Sequence, residues 1–206
     1  MPVVADEFFG RPTEQLQVAG VTGTNGKTTT AFLLYAILAA ARRRPGLLGT
    51  IESRVGGERR PAIRTTPEAI DLQRAFREML DAGDRSAAVE ATSHGSALGR
   101  LECVRFRALV FTNLTQDHLD FHGTLEAYFD AKRRLFTETM PPAAANVGDA
   151  HGRRLADELR GRNELLTFGL ADDADIRADE LELGARGARF TAAGIELETR
   201  LRGRFN

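Results

Sequence analysis

Apolar runs separated by glycine-rich or polar turns divide most of the chain into alternating predicted strands and helices. A short buried strand is predicted over residues 17–22, followed by a glycine-rich turn and a helical pattern over 28–42. The apolar run over 31–41 is too short to cross a bilayer and is typical of a buried helix. A strand, a glycine loop and a helix in this order open a phosphate-binding α/β unit.

The next segment predicts a strand, a hairpin and a helix. Residues 46–52 predict the second strand, and Gly56-Gly57 predicts a turn into a polar strand that ends near Arg64. For the helix that follows, we expect Thr66 to be the cap, with Pro67 and Glu68 in the first turn and an end near Ala82 to Gly83.

The rest of the chain continues the alternation and then changes character. Buried parallel strands are predicted over 86–92 and 107–114, and Thr124 is expected to cap a helix over 125–136. A further unit covers a strand at 143–147, a helix near 149–160 and a strand at 165–169. After Asp172 the pattern alternates with period two and predicts an antiparallel meander. The predicted fold class is α/β, a P-loop-type, mostly parallel sheet flanked by helices with a small antiparallel β appendage (171–206). We expect a lead-in over 1–16 and one domain over 17–206.

Composition narrows the class of protein. The chain is 42% hydrophobic and 28% charged with a formal net charge of −1, which gives no overall attraction to nucleic acid or anionic membranes. The single cysteine, Cys103, excludes an internal disulfide and argues against a cysteine-based zinc site. The first residues lack a signal-peptide pattern. We therefore expect a cytoplasmic monomer that neither binds nucleic acid nor inserts into a membrane.

The strongest motif is GVTGTNGKTTT, residues 20–30. In such a loop, backbone N–H groups and a helix N-terminus face a phosphate chain, Lys27 reaches the β- and γ-phosphates, and the Thr28 hydroxyl binds Mg²⁺. The usual spacing would place the first glycine at Val21, so a glycine turn with a chance lysine is the alternative. The predicted nucleotide-binding residues are Gly23, Thr24, Asn25, Gly26, Lys27, Thr28 and Thr29.

Polar side chains follow two predicted buried strands. Glu90 closes one of them, and the other leads into the segment that ends in His118. The carboxyl ends of parallel strands form the ligand-binding edge of an open α/β sheet. A carboxylate that closes an apolar strand is costly without a cation, so we expect Mg²⁺ beside Glu90, the alternative being a solvated glutamate. The spacing of His118 and His122 also invites a zinc interpretation, which no further motif supports.

Lys132 occupies an unexpected position in its predicted helix. The helix carries an apolar stripe that passes through position 132, formed by Leu125, Tyr128, Phe129, Leu135 and Phe136. A lysine there is either a side chain that reaches out from the edge of the stripe or a desolvated amine that loses its proton easily.

These motifs together resemble the Mur ligase family, which includes muramyl peptide ligases, folylpolyglutamate synthases and cyanophycin synthetases. The resemblance covers residues 8–206 and includes GTNGKTTT, RTTPEA, EATSHGSALGR, NLTQDHLDFHG and DAKRRLF. It implies metal binding by Thr28, Glu90, His118 and Lys132, the last as a CO₂-derived carbamate, and catalytic roles for Lys27, Glu90, His118 and Lys132. It also implies substrate contacts by Thr65, Thr66, Thr92, Ser93 and Arg100. Thr92 stands where the family usually has serine, and Ala91 and Ser96 also depart from its pattern.

The resemblance implies an ATP- and Mg²⁺-dependent ligation, closest to the tripeptide synthetases of the family. The carboxylate of UDP-N-acetylmuramoyl-L-Ala-D-Glu would attack ATP, and a diamino acid would then displace phosphate from the acyl phosphate. It also implies that the chain is a central domain without the N-terminal UDP-binding and C-terminal amino-acid-binding domains. Three alternatives remain, a folylpolyglutamate-synthase-like ligase, a nucleotide-binding fragment without turnover and an interaction module.

Overall fold

A single sheet of eleven strands organises the described part of the molecule. The computed structural model describes residues 1–162 and 164–202. Within them the strands follow the order β11-β10-β9-β8-β7-β6-β1-β5-β2-β3-β4. Their bounds are β1 Gln17–Thr22, β2 Pro45–Leu48, β3 Glu52–Val55, β4 Glu58–Pro61, β5 Ser86–Glu90, β6 Phe106–Phe111, β7 Ala143–Asn146, β8 Leu165–Gly169, β9 Ile176–Gly184, β10 Gly187–Ala192 and β11 Ile195–Thr199.

Helices follow most of the parallel strands. They are α1 Pro2–Phe8, α2 Lys27–Ala40, α3 Ala69–Asp81, α4 Ser93–Ala97, α5 Leu119–His122, α6 Leu125–Thr137 and α7 Ala150–Leu159, with a 3₁₀ helix at Pro12–Glu14. Thr124 caps α6 through a bond from the Ala127 N–H (3.1 Å), as predicted. The alternation of these helices with strands of one mostly parallel sheet confirms the predicted α/β class.

The parallel register places the functional edge. β1 lies between β5 and β6, with Val21 opposite Glu90 and Thr22 opposite Phe111. The carboxyl ends of these three central strands therefore meet at one edge, where the glycine-rich loop also begins.

Packing on the faces of the sheet explains why the core forms here. The largest apolar cluster joins α3, through Phe76 and Met79, to α6, through Phe129 and Phe136. A second cluster packs Ala31 of α2 against the central strands. Burial of these side chains removes apolar surface from water, which is the main stabilising contribution to the fold.

The predicted strand over 46–52 is broken in the structure. β2 ends at Leu48, and β3 begins only at Glu52. A Cβ on Gly49 would lie 2.6 Å from Glu90 Oε1, so any larger residue there would displace the carboxylate from its present position. The break turns the next peptide toward Glu90 instead of continuing the strand.

The helix expected after a cap at Thr66 starts two residues later than predicted, and the predicted cap is wrong. α3 begins at Ala69, and its N-cap residue, Glu68, makes no side-chain cap bond. The Thr66 hydroxyl instead donates to the Glu90 carbonyl (2.7 Å). A long-range hydrogen bond has therefore replaced the local one that the sequence predicted.

Two further differences concern α2 and the lead-in. α2 was expected to be buried, but Leu33 is 48% exposed and Ile37 is 63% exposed, because only one side of the helix meets the sheet. The lead-in over 1–16, for which no element was predicted, contains α1 and the 3₁₀ helix, and both pack near α3. In the described part of the chain, no helix combines the length and apolar character needed to cross a membrane.

The predicted meander is present and extends the main sheet. β9, β10 and β11 pair antiparallel, whereas β9 joins β8 in parallel through Phe168↔Ile176 and Gly169↔Arg177. Residues 203–206 of the predicted appendage lie outside the described residues.

Candidate functional site

The glycine-rich loop is held in shape by the segment after β6. The Thr24 N–H donates to the Asn113 carbonyl (2.8 Å), and the Asn25 N–H donates to Asn113 Oδ1 (3.0 Å). The Thr112 hydroxyl donates to the Asn25 carbonyl (2.6 Å). Gly23 has a φ of 141°, and a Cβ there would lie 2.0 Å from Thr112 Oγ1. The loop is thus fixed before any ligand arrives, which lowers the entropic cost of binding.

The loop leads directly into the N-terminus of α2. Gly26, in the left-handed conformation (φ 83°), is the N-cap residue and makes no side-chain cap bond. Lys27 is the first helical residue, followed by Thr28 and Thr29. Uncapped N–H groups and the helix dipole favour an anion at this point.

Lys27 lies folded over its own loop. Its Nζ donates to the carbonyls of Gly23 (3.1 Å) and Thr24 (2.7 Å). Burial lowers the pKa of Lys27, and the charges of Glu90 and Asp117 oppose this effect. A phosphate chain in the loop would offer this ammonium group stronger, charged acceptors.

Glu90 is fully buried (0% exposed) at the end of β5. Its carboxylate accepts from the Thr28 hydroxyl (3.0 Å), from the Thr50 N–H (2.7 Å) and from the Thr50 hydroxyl (3.1 Å). These donors are all neutral, and within the described residues no arginine or lysine forms an ion pair with this buried carboxylate. The Thr28 hydroxyl and the Glu90 carboxylate are hard oxygen donors of the kind that Mg²⁺ prefers, and they fit this ion.

Lys132 is buried (1% exposed), as the apolar stripe predicted. Its Nζ donates to the Gly23 carbonyl (2.8 Å), which Lys27 also uses, and lies 4.4 Å from the Tyr128 ring centroid. Burial, followed by the nearby charge of Lys27, lowers the pKa of Lys132 to about 7. The amine is therefore substantially neutral, and hence nucleophilic, near neutral pH.

His118 stands at the rim of the same site. Its side chain is 44% exposed, and its backbone is left-handed (φ 52°) at the start of α5. Its ring lies 4.7 Å from that of His94 and 6.0 Å from that of Tyr128, measured between centroids. Burial lowers the pKa of His122, whose Nε2 is buried and has no hydrogen-bond partner among the described residues. Among residues 1–162 and 164–202 no group of three potential ligands forms a metal cluster, so the zinc alternative gains no support.

One cavity of about 420 Å³ collects most of the predicted residues. It lies beside the phosphate loop at the carboxyl edge of the sheet. Its lining comprises Lys27, Arg64, Thr65, Thr66, Thr92, Ser93, His94, Leu98, Arg100, His118, Tyr128 and Lys132. All five predicted substrate-binding residues and three of the four predicted catalytic residues therefore share one space. The fourth, Glu90, is fully buried and does not line it.

Arg100 reaches the cavity from a fixed position. Its guanidinium pairs with Glu68 (2.7 Å) and donates to the Thr66 carbonyl (3.3 Å). Glu68 also pairs with Arg64 (3.0 Å). One carboxylate between two arginines leaves a net positive wall, which suits an anionic ligand.

Threonine hydroxyls connect this wall to Glu90. The Thr92 hydroxyl donates to Thr66 Oγ1 (2.9 Å) and accepts from the Gly95 N–H (3.0 Å), so Thr92 caps α4. The Thr66 hydroxyl in turn donates to the Glu90 carbonyl. Ser93, the first residue of α4, is buried beneath the cavity. Thr92 therefore retains the hydroxyl that the family's usual serine would supply, and this hydroxyl forms hydrogen bonds to Thr66 and Gly95.

A second, largely apolar cavity of about 320 Å³ opens beside the first turn of α2. It is lined by Thr28, Thr29, Phe32, Leu33, Ile51 and Leu201. Its lining includes two residues of the phosphate-binding turn, so one extended ligand could occupy both the turn and this cavity.

Sequence reasoning missed several residues that shape the site, among them Thr50, Arg64, His94, Asn113 and Tyr128, although Arg64 stands in the matched segment RTTPEA. Asn113 and His94 lie within the matched motifs, which offered a signal. Tyr128 was assigned only to the apolar stripe, yet its hydroxyl lies 3.2 Å from Thr24 Oγ1. Thr50 was hidden inside a predicted strand.

Comparison with known proteins gives a consistent result. The family model for the Mur ligase middle domain matches residues 21–206. A relative from Solibacter usitatus (strain Ellin6076), named UDP-N-acetylmuramoyl-L-alanyl-D-glutamate--2,6-diaminopimelate ligase, is 44% identical over 194 residues, 92% of this chain. A ligase of the same name from Geobacter metallireducens (strain ATCC 53774 / DSM 7210 / GS-15) is 42% identical and covers 100% of this chain. The chain spans 39% and 42% of the length of these two relatives.

Solved structures agree with the sequence relatives. A structure of UDP-N-acetylmuramoyl-L-alanyl-D-glutamate--2,6-diaminopimelate ligase has a TM-score of 0.84 at 31% identity and covers 100% of this chain and 45% of its own. A folylpolyglutamate synthase from Mycobacterium tuberculosis, solved with ADP and AMPPCP, has a TM-score of 0.72 at 18% identity, over 93% of this chain and 50% of its own, and shows the shared fold alone. By family model, relatives and structure, this chain belongs to the Mur ligase family as a middle domain.

Proposed function

We propose that this chain is the ATP-binding and phosphoryl-transfer unit of a ligase that joins a diamino acid to UDP-N-acetylmuramoyl-L-Ala-D-Glu. The observation that carries this proposal is the convergence of Lys27, Glu90 and Lys132 on the edge where the phosphate loop meets the large cavity. The names of the similar ligases specify 2,6-diaminopimelate, which is the diamino acid we propose here.

ATP would bind with its phosphates over the loop of residues 23–29. Loop N–H groups and the α2 N-terminus would receive the β- and γ-phosphates, and Lys27 would move from the loop carbonyls to the phosphate oxygens. The apolar cavity beside Thr28 and Thr29 has the character needed for the adenine base.

Mg²⁺ would be held by the Thr28 hydroxyl and the Glu90 carboxylate, with His118 nearby at the cavity rim. When bound, the ion neutralises charge that accumulates on the transferring phosphoryl group. The chain's own contribution is to keep these oxygens and Lys27 in place, so that little reorganisation is needed during transfer.

Lys132 is proposed to react as a neutral amine with CO₂. The Nζ lone pair attacks the carbon of CO₂, the Nζ–C bond forms as one C–O π bond opens onto oxygen, one proton leaves the nitrogen for solvent, and the neutral amine becomes a carbamate anion. A low amine pKa favours this reaction because only the unprotonated nitrogen is a nucleophile. The new anion would lie beside Lys27 and could complete the oxygen ligands of the metal.

The acceptor would occupy the large cavity. Its carboxylate would face the γ-phosphate at Lys27, while Arg100, Arg64 and the hydroxyls of Thr65 and Thr92 would contact its anionic and polar groups. The carboxylate oxygen attacks phosphorus, ADP leaves, and the amine of the diamino acid then displaces phosphate from the acyl phosphate. Positioning of the two reactants is the main contribution of the protein to rate.

Nucleotide titration of the purified chain tests the proposal most directly. Lys27→Met should weaken Mg·ATP binding about tenfold or more, since a hydrogen bond to a charged group contributes about 1.5–3 kcal/mol. The control is Arg107→Ala, which removes an exposed cation from β6. In mixtures that also contain UDP-N-acetylmuramoyl-L-Ala-D-Glu and 2,6-diaminopimelate, acceptor-dependent ADP release reports acyl-phosphate formation, and mass spectrometry of the nucleotide product reports ligation. A wild-type chain that binds no Mg·ATP, or a Lys27 variant that binds like wild type, would contradict the proposal.

A further inference from the structure

Thr50 holds both oxygens of the buried carboxylate from outside the core. It lies in the break between β2 and β3, and its own side chain is exposed. Its N–H donates to Glu90 Oε1 (2.7 Å), and its hydroxyl donates to Oε2 (3.1 Å). The close approach depends on Gly49, where a Cβ would meet Oε1 at 2.6 Å.

The direction of the hydroxyl protons follows from the chemistry of the partners. The Thr50 hydroxyl has one proton and donates it to Glu90 Oε2. Thr65 Oγ1 lies 3.1 Å from Thr50 Oγ1, so Thr65 is the donor in that pair. The donors therefore run from Thr65, which lines the large cavity, through Thr50 to Glu90.

The two oxygens of the Glu90 carboxylate have different surroundings. Oε1 is committed to the Thr50 N–H, whereas Oε2 faces the Thr28 hydroxyl at 3.0 Å. A cation placed between Thr28 and Glu90 would therefore meet Oε2. Two donors from one residue also restrict rotation of the carboxylate, which removes the entropic cost of ordering it when the cation binds.

We propose that Thr50 is a positioning residue that presents Glu90 Oε2 to the divalent cation and links that carboxylate to the acceptor cavity through Thr65. The inference rests on the proposed function, because it requires the nucleotide–metal complex to bind at Thr28 and Glu90.

The test is a titration of the ADP-saturated chain with Mn²⁺. Binding is measured from the decrease in the electron paramagnetic resonance signal of free Mn²⁺. Mn²⁺ accepts the same oxygen ligands as Mg²⁺. Thr50→Val keeps the N–H and the side-chain shape but loses the hydroxyl. It should weaken Mn²⁺ binding about tenfold, in the range found for residues that orient metal ligands. ADP affinity measured with a chelator present should not change, because the phosphate loop is untouched.

Two further variants separate a specific role from general damage. Thr50→Ser restores the hydroxyl and should bring Mn²⁺ affinity back to within about twofold of wild type. Thr191→Val is the matched control, since it also removes a threonine-to-glutamate hydrogen bond (Thr191 to Glu180, 3.1 Å), but on β10 and far from the loop in the sheet order. It should leave Mn²⁺ affinity unchanged.

The outcomes distinguish this inference from the proposed function. If Glu90→Gln loses Mn²⁺ binding while Thr50→Val binds like wild type, the metal site stands and the role of Thr50 is overturned. If Thr50→Ser is as weak as Thr50→Val, the hydroxyl is not the cause and the inference also fails. If wild type with ADP binds no Mn²⁺, the inference falls together with the proposed function. Unfolding midpoints of all variants confirm that each is folded.

Discussion

At the scale of single residues, both lysine side chains of the chain lie in the proposed phosphoryl-transfer site. Only two of the 28 basic side chains are lysine, Lys27 and Lys132, and both donate to the Gly23 carbonyl. Arginine, which supplies all the other basic side chains, stays protonated under all ordinary conditions. Lysine is the type whose pKa burial can bring near neutrality, and burial lowers the pKa of both.

The pKa of Lys132 leads to a prediction about its carbamate. At a pH well below 7 the amine is protonated and does not react with CO₂. As the pH rises through about 7 the neutral amine accumulates, so at a fixed pressure of ¹³CO₂ a carbamate carbonyl signal should grow. Carbon-13 NMR of the chain measures this signal directly.

The small number of lysines makes the carbamate signal assignable. Lys132→Arg should abolish it, whereas Lys27→Arg should retain it. The α-amino group of Met1 can also form a carbamate, and that signal should survive both substitutions. A signal unaffected by Lys132→Arg would refute the carbamate at this position.

At the scale of elements, α7 sits closer to β7 than most side chains would permit. Gly152 lies on the buried side of α7, and a Cβ there would come within 1.8 Å of the Asn146 carbonyl oxygen. The obstacle is backbone, which cannot rotate away. Asp149 fixes the start of this helix by accepting from the N–H groups of His151 and Gly152.

Gly152→Ala should therefore destabilise the chain despite the higher helix propensity of alanine. We expect a loss of about 1–3 kcal/mol in the free energy of unfolding, the usual cost of overpacking. Urea denaturation measures it, with the exposed Asp157→Ala on the same helix as the control. A Gly152→Ala chain as stable as the control would show that α7 can shift outward without cost.

At the scale of the whole molecule, the sheet is unevenly buried along its width. β5 is buried at every residue, whereas β9 and β11 are mostly exposed and β10 between them is mostly half-buried. These three strands join the rest of the sheet through two register pairs between β8 and β9. Regions with few buried contacts open locally at lower free energy than the core.

Hydrogen–deuterium exchange followed by mass spectrometry should show this difference. Peptides from β1 and β5 should exchange last, and peptides from β10 and β11 should exchange well before them. Mg·ADP should slow exchange in the glycine-rich loop and the start of α2 and leave β10 unchanged. Equal protection of β5 and β10 would mean that the meander is part of the cooperative core.

The sequence by itself determined the α/β class, the strand, loop and helix of the phosphate site, the meander and the inward position of Lys132. Each of these depends on local pattern, either the spacing of apolar residues or the need for glycine and lysine in the loop. The α6 cap at Thr124 was equally local, since its partner lies three residues away.

Only the tertiary structure decided which residues contact Glu90. It also contradicted two predictions that were made from local pattern, the cap at Thr66 and the strand over residues 46–52. Thr66 had the right type and position for a cap, but a hydrogen bond to the buried Glu90 carbonyl outweighed it. Residues 46–52 had the pattern of one strand, but the strand is interrupted after Leu48. The Thr50 N–H in this break donates to the Glu90 carboxylate instead of to a neighbouring strand. Both outcomes have one physical reason. A buried polar group must be satisfied by whatever donor the fold brings to it, and that donor can be remote in sequence.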